Sequence, residues 1–364
     1  LVHSPVLSGA KTSSGGYDFS AFFKKVTSYF KGADLAVANF ENTIADPKKY
    51  PYIGYPTFNS PESLVDVCKN AGLGLLLTAN NHSYDTGFDG ITNTPRVMKA
   101  KGMPFIGTKE TESDPKYLVK DVNGIKLGIT CYTYATFDSA GNIRLNGLKL
   151  KTEANNLVNC FDYNYIDRFY SEVKTVLENM KNDGADAIVF YIHWGNEYQL
   201  KPNTWQKSIA QKLADMGVDV IVGGHPHVVQ PIDIIHGEGR DEPTVCLYSM
   251  GNAISNQRKE LMDSEPTGHT EDGLMFSCTF EKQSGKTHLK AVDIIPTWVD
   301  KYKGGSGYQY TMFPIESKTA AQNSGETPSR INDMKLSYDR TMKIVGEGLA
   351  KCQTELGCKV RTIE

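Results

Sequence analysis

Compact apolar runs of strand length alternate along this chain with segments whose apolar residues recur at helical spacing. The runs 33–40, 73–78, 187–193 and 218–222 are nearly continuous Val, Ile, Leu and Ala, the pattern of strands covered on both faces. Between them, 62–70, 166–180 and 204–216 place apolar side chains every three or four residues and read as helices. Strand and helix in alternation restrict the chain to a layered α/β architecture. Asp18 is placed to cap a further helix carrying Phe19, Phe22, Phe23, Val26 and Phe30, and 90–101 reads as a helix that Pro95 must open or break. Asn123-Gly124 joins two short strands in a hairpin, and Ser284-Gly285 a later pair, 273–281 and 287–295. Residues 142–160 read as irregular, 300–330 as loop, and 332–349 as a last helix.

Composition excludes several classes. The formal charge of −3 leaves no basic stripe for nucleic acid, so no nucleic-acid partner is expected. No apolar run approaches the roughly 20 residues that span a bilayer. Serine-hydrolase, P-loop and dinucleotide motifs are missing from the sequence. Among seven Cys, residues 68, 131, 246 and 278 lie in apolar runs and read as buried thiols, while the spacing of Cys352 and Cys358 leaves a small disulfide loop open.

The apolar strands end in a particular set of residues. Glu41 follows the first as Asn-Phe-Glu-Asn, and His82 follows the second as Asn-Asn-His. His193 closes the third, and His225 and His227 follow the fourth as Gly-Gly-His-Pro-His. Ligands of open α/β sheets sit at the carboxyl ends of strands, so these groups are expected at one edge. Imidazoles with one carboxylate and an amide oxygen, and no thiolate, suit divalent Mn, Fe or Zn. Two ions ~3.5–4 Å apart need a bridging carboxylate, and Glu41 is the one at these strand ends. Asn81, His193, His225 and His227 complete the donors, which leaves His82 to protonate a leaving group. Each has a plainer reading alone: a core histidine, an Asx turn, a rigid turn, a solvated carboxylate. Their joint occurrence at four strand ends is what carries the expectation.

The segments 37–42, 77–87, 192–198, 221–230 and 248–252 (VANFEN, LTANNHSYDTG, IHWGNEY, IVGGHPHVVQ, YSMGN) resemble the bacterial CapA family of poly-γ-glutamate capsule biosynthesis proteins, within the calcineurin-like metallophosphoesterase superfamily. The resemblance runs from about residue 1 to 300 and implies a CapA-like domain there, with 301–364 a loop and helical extension packed on it. It implies a four-layer α/β metallophosphatase-like core, two central mixed β-sheets flanked by helices, with two divalent ions at the strand ends. Asn81, Glu41, His193, His225 and His227 match the ligand motifs and His82 the general acid, with a metal-activated water as nucleophile. Asp85, Trp194, Glu197 and Asn252 match family motifs and are expected near substrate, as is His3. The first Asp ligand of the superfamily is expected upstream of Leu1, and the N-terminal membrane anchor usual in the family likewise lies outside this chain. The implied function is a cell-surface, metal-dependent phosphoesterase or related hydrolase acting on an anionic polymer or phosphoester. The alternative is a non-catalytic, polymer-binding accessory of a membrane capsule synthase or exporter that keeps a relic metal site.

Overall fold

The computed structural model describes residues 1–305 and 307–357. After a first helix α1 (Ser4–Ala10) and a short α2 (Thr27–Gly32), strands β1 (Val37–Asn39), β2 (Leu75–Leu77) and β3 (Phe105–Ile106) form a parallel three-stranded sheet. The connections are α3 (Ser63–Ala71) and α4 (Gly87–Ala100). Next come the hairpin β4 (Tyr117–Val122) and β5 (Ile125–Tyr134), a small sheet of β6 (Thr136–Phe137), β7 (Ile143–Leu145) and β8 (Leu148–Lys149), and β9 (Cys160–Phe161). Helix α5 (Ile166–Asn182), β10 (Ala187–His193), α6 (Thr204–Asp215), β11 (Val220–Gly224), β12 (Ile232–Ile235) and β13 (Thr244–Leu247) complete a seven-stranded sheet ordered β12-β13-β11-β10-β5-β4, with β9 beside β5. Its centre is parallel and its two ends antiparallel.

The layers follow from the two-residue period of the strands. In β10, Ile188, Phe190 and Ile192 turn to one face and pack under α5 and α6 with Phe169, Val173 and Leu213. Val189 turns the other way. Leu75 and Leu77 of β2 meet Ile129 and Cys131 of β5, while Leu76 faces Val65 of α3 and Met98 of α4. Helices therefore cover both outer faces, and the two sheets pack on each other between them. The smaller sheet is wholly parallel, whereas both were expected to be mixed.

Several elements differ from the sequence reading. Residues 300–330 are not loop: β14 (Asp272–Gln283), β15 (Lys286–Gly304) and β16 (Gly307–Pro314) form an antiparallel sheet, followed by α7 (Lys318–Gln322) and α8 (Pro328–Leu356). Glycine and lysine at the hairpin end masked the alternation, yet Val299, Tyr310 and Met312 are buried in the same core as Leu76, Val65 and Met98. Helix α8 packs along β12, β14 and β15, with Val345 and Leu349 against Ile232 and Val292. Residues 19–26 form successive turns rather than a helix, because Phe22 and Val26 bond back three residues to Phe19 and Phe23; the Asp18 carboxylate caps only Ser20 N–H. Pro95 neither opens nor ends α4 but sits in its third turn, where burial with Ile91, Thr94 and Met98 outweighs a local cost of about 3 kcal/mol. Cys68, Cys131 and Cys246 are buried as expected and Cys278 half-buried, while the Cys352–Cys358 pairing lies outside the described residues.

Candidate metal centre

Parallel pairing carries the expected residues to one edge. Asn39 sits opposite Leu77, so Glu41 and Asn81 leave their strands side by side. His193 lies opposite Gly224, which places His225 one step beyond its neighbour. The turn after β11 is tightly built: a Cβ on Gly223 would lie 2.0 Å from the Tyr248 carbonyl oxygen. His225 and His227 then adopt φ of 96° and 56°, left-handed backbone that costs on the order of 1–3 kcal/mol for a non-glycine residue. Strain at two consecutive candidate donors is the signature of a site imposed by its surroundings.

Glu41, Asn81, His82, His193, His225 and His227 are all buried. The His193 Nε2–H donates to Asn81 Oδ1 at 2.9 Å and lies 3.4 Å from Glu41 Oε1. The rings of His193 and His225 are 4.8 Å apart, and those of His225 and His227 6.0 Å. Glu197 joins them: its carboxylate and the ring nitrogens of His225 and His227 fall within 4.8 Å of one another. His227 Nδ1 is bound at 3.1 Å to Asn252 Oδ1, which turns Nε2 toward Glu197. Histidine ligands commonly give their second nitrogen to such an oxygen, which fixes the ring's orientation. His82 Nδ1 is paired with Asp85 Oδ2 at 2.8 Å, and Phe58 N–H donates to the same oxygen at 2.6 Å.

The electrostatics favour a cation. Burial alone pushes the Glu41 carboxyl up, but the His193, His227 and His82 imidazoles bring it well below the usual range, so it is ionised. Burial, then the neighbouring His193 and His227, pushes His225 well below the ordinary imidazole value. Burial also lowers His227, against the pull of Glu41 and Glu197. Neutral imidazole and ionised carboxylate are the ligand forms. Among the described residues, Glu41 Oε1 and His225 Nδ1 are buried without a hydrogen-bond partner. Buried lone pairs left unpaired are costly, and a divalent ion would satisfy both. Burial lowers His82, but the hydrogen bond and charge of Asp85 more than offset it and leave the ring raised.

The other expected contacts sort differently. Trp194 directly follows His193 and points to the opposite face, fully buried in the helix-side core with its indole N–H on the Tyr248 carbonyl. Packing, not substrate contact, is its place. Asp85 and Asn252 stand behind His82 and His227 rather than in front of them. Glu197 is exposed and belongs with the donors. His3 accepts Asn256 N–H at Nδ1 and packs edge-on to Phe58, whose ring in turn meets His82. Tyr134, 4.8 Å from the His225 ring, and Asn146, 3.3 Å from His82 Nδ1, were not foreseen. The Asn-Gly pair at 146–147 was the one available signal for the second.

Fold and cluster together define an α/β protein with a metallophosphatase-like core. The chain belongs to the bacterial capsule synthesis protein PGA_cap family, whose model matches residues 1–257. It is 29% identical over 252 residues to the capsule biosynthesis protein CapA of Bacillus anthracis, which covers 66% of this chain and 55% of that protein. It is also 29% identical over 323 residues to the PGA biosynthesis protein CapA of Bacillus subtilis (strain 168), covering 88% of this chain and 76% of the relative.

Proposed function

We propose that this chain is a metal-dependent hydrolase of the phosphoesterase type, working at the cell surface in poly-γ-glutamate capsule biosynthesis. The capsule assignment is supported by the names of its relatives, the chemistry by the site. The observation that carries it is the convergence of donors from separate strands, with Glu41 Oε1 and His225 Nδ1 buried and lacking a hydrogen-bond partner among the described residues. Glu197, His225 and His227 would hold one divalent ion of the Mn, Fe or Zn class, and Glu41, Asn81 and His193 gather the donors for a second. Such ions polarise a bound phosphoryl or carbonyl oxygen.

The chain's own residues supply the proton. Asp85 holds His82 Nδ1–H, so the ring presents Nε2, and its raised affinity keeps a proton there to hand to the departing oxygen or nitrogen. The Tyr134 ring over His225 shields that flank from water. His3, fixed through Nδ1, keeps Nε2–H to donate to an anionic group of substrate. Among the described residues, no helix is long and apolar enough to cross a membrane.

The test is hydrolysis of p-nitrophenyl phosphate with manganese, read beside bound metal. His225→Ala is expected to lose both metal and activity, and His82→Ala to lose activity while keeping metal. The biosynthetic names of the relatives favour one second reading, a non-catalytic polymer-binding accessory of a membrane synthase or exporter. Tight metal binding with no turnover of phosphoester or γ-glutamyl amide would select it.

A further inference from the structure

Glu197 is the exposed member of an otherwise buried cluster, and the turn that carries it is tied down from several sides. Tyr198, next to it, takes φ of 64°, a left-handed backbone that tyrosine rarely adopts, and its N–H donates to the Pro226 carbonyl oxygen at 2.8 Å. The Glu197 turn is thereby laid against the His225-Pro226-His227 turn, with the Tyr198 ring 6.3 Å from that of His227. Beyond Tyr198, Gln230 Nε2 donates to the Gln199 carbonyl oxygen at 2.7 Å. From the other side comes Gln257, in the irregular stretch that follows β13. Its Nε2–H donates to the Tyr198 hydroxyl oxygen at 3.1 Å, while its Oε1 accepts Asn252 Nδ2–H at 2.9 Å. Asn252 Oδ1 is in turn the partner of His227 Nδ1. One amide side chain closes an unbroken path, Tyr198–Gln257–Asn252–His227, between the two turns that carry the donors.

We propose, on the reading of Glu197, His225 and His227 as ligands of one divalent ion, that Gln257 is a positioning residue for that site: its amide, bonded at both ends, holds the Glu197–Tyr198 turn in step with the His227 ring so that carboxylate and imidazole meet the same ion. Glu197 needs such a tether. Burial fixes His225 and His227, whereas an exposed glutamate turns about its side-chain bonds and gives up that freedom on capturing an ion. The Glu197 Oε1 atom lies 4.0 Å from His227 Nε2. Glutamine suits the place because one planar group offers both a donor and an acceptor, and Ser255 Oγ fixes its backbone by accepting Gln257 N–H at 3.0 Å. Partners of this outer kind orient the ligands, and losing one lowers metal affinity by about 10–100-fold.

Calorimetric titration of the full chain with manganese reads this role without any turnover, and Glu197→Gln marks the binding step that belongs to the site. Gln257→Leu removes both bonds of the amide, and Tyr198→Phe only the outer one. Gln257→Leu is expected to raise the Kd for manganese about tenfold and Tyr198→Phe about fivefold, with the double variant within about twofold of Gln257→Leu alone, as links of one path behave. Gln257→Glu, whose carboxylate accepts from both Asn252 and the Tyr198 hydroxyl, should return Kd to within about threefold of the parent. Melting temperatures without metal are expected to match that of the parent, since Tyr198 N–H and Gln230 still hold the turn. A Gln257→Leu protein that binds manganese as tightly as the parent, losses that multiply in the double variant, or a metal-free melting temperature that falls in step with affinity overturns the proposal. A parent that binds no manganese overturns the ligand reading and this role with it. A parent and variants that show every expected Kd while hydrolysing no p-nitrophenyl phosphate support the role and count against the hydrolase reading alone.

Discussion

His269 shows how far a single side chain can be read. His269 sits beside Asp272 and Arg340, and burial, then the Arg340 and Lys343 charges, lowers it from 6.5 to about 4. A ring that ionises more easily in the unfolded chain contributes stability above its unfolded value, and that stability drains away as pH falls from about 6.5 through about 4. His269→Gln should flatten that part of a melting-temperature profile, modestly, since the ring is only half-buried. Nothing local in the sequence around His269 announces Arg340. Glu41, Asn81, His193, His225 and His227 were legible for the opposite reason. Each directly follows an apolar run, and parallel strands end at a common edge. Glu197, on an exposed turn, was expected near substrate rather than among the donors, and Asn146 was not seen at all because it arrives from 64 residues away. Trp194 gives the converse prediction. Trp194→Phe leaves the buried Tyr248 carbonyl unpaired and should cost about 1–3 kcal/mol in a denaturant titration without loss of bound metal.

Elements with a strong period were read closely and those without one were not. Strand β10 occupies Ala187–His193 as its apolar run predicts, and helix α6 opens on the Asn203 capping box. β16 escaped notice because the lysines and glycines of the hairpin end just before it mask the alternation, and α4 was read as a helix but with Pro95 misplaced, because burial overrides the proline there. Helix α8 does more than close the chain. Arg340 grips the buried Asp272 carboxylate through Nε and Nη2 at 2.6 and 2.7 Å, and the Asp272 backbone carbonyl receives Asn252 N–H. Asn252 in turn orients His227. Removing one partner of a buried pair costs about 3–5 kcal/mol, so Arg340→Met should destabilise the fold by that order and weaken metal binding. Calorimetry of the variant with and without manganese checks both effects.

At the scale of the whole molecule, the family match ends at residue 257, yet the sheet of β14–β16 and helix α8 complete the core beyond it. The layered class was evident from alternating strand and helix, whereas the packing of this last sheet depends on contacts between residues far apart in sequence, such as Tyr310 with Phe22 and Val26 in one cluster. A cation binding only the folded state should stabilise all of it together. Manganese at a hundred times its Kd is expected to add about 2.7 kcal/mol, and a chelator to remove the gain. An unchanged melting temperature across that range would mean that no such ion is held. The backbone at 225 and 227 carries a longer consequence. Asparagine and glycine are the residues most at ease in that left-handed turn, and neither offers an imidazole. A descendant of this chain that abandons metal is therefore expected to drift toward Gly or Asn at both places, and such a pair would record the loss in its genome as plainly as a missing activity.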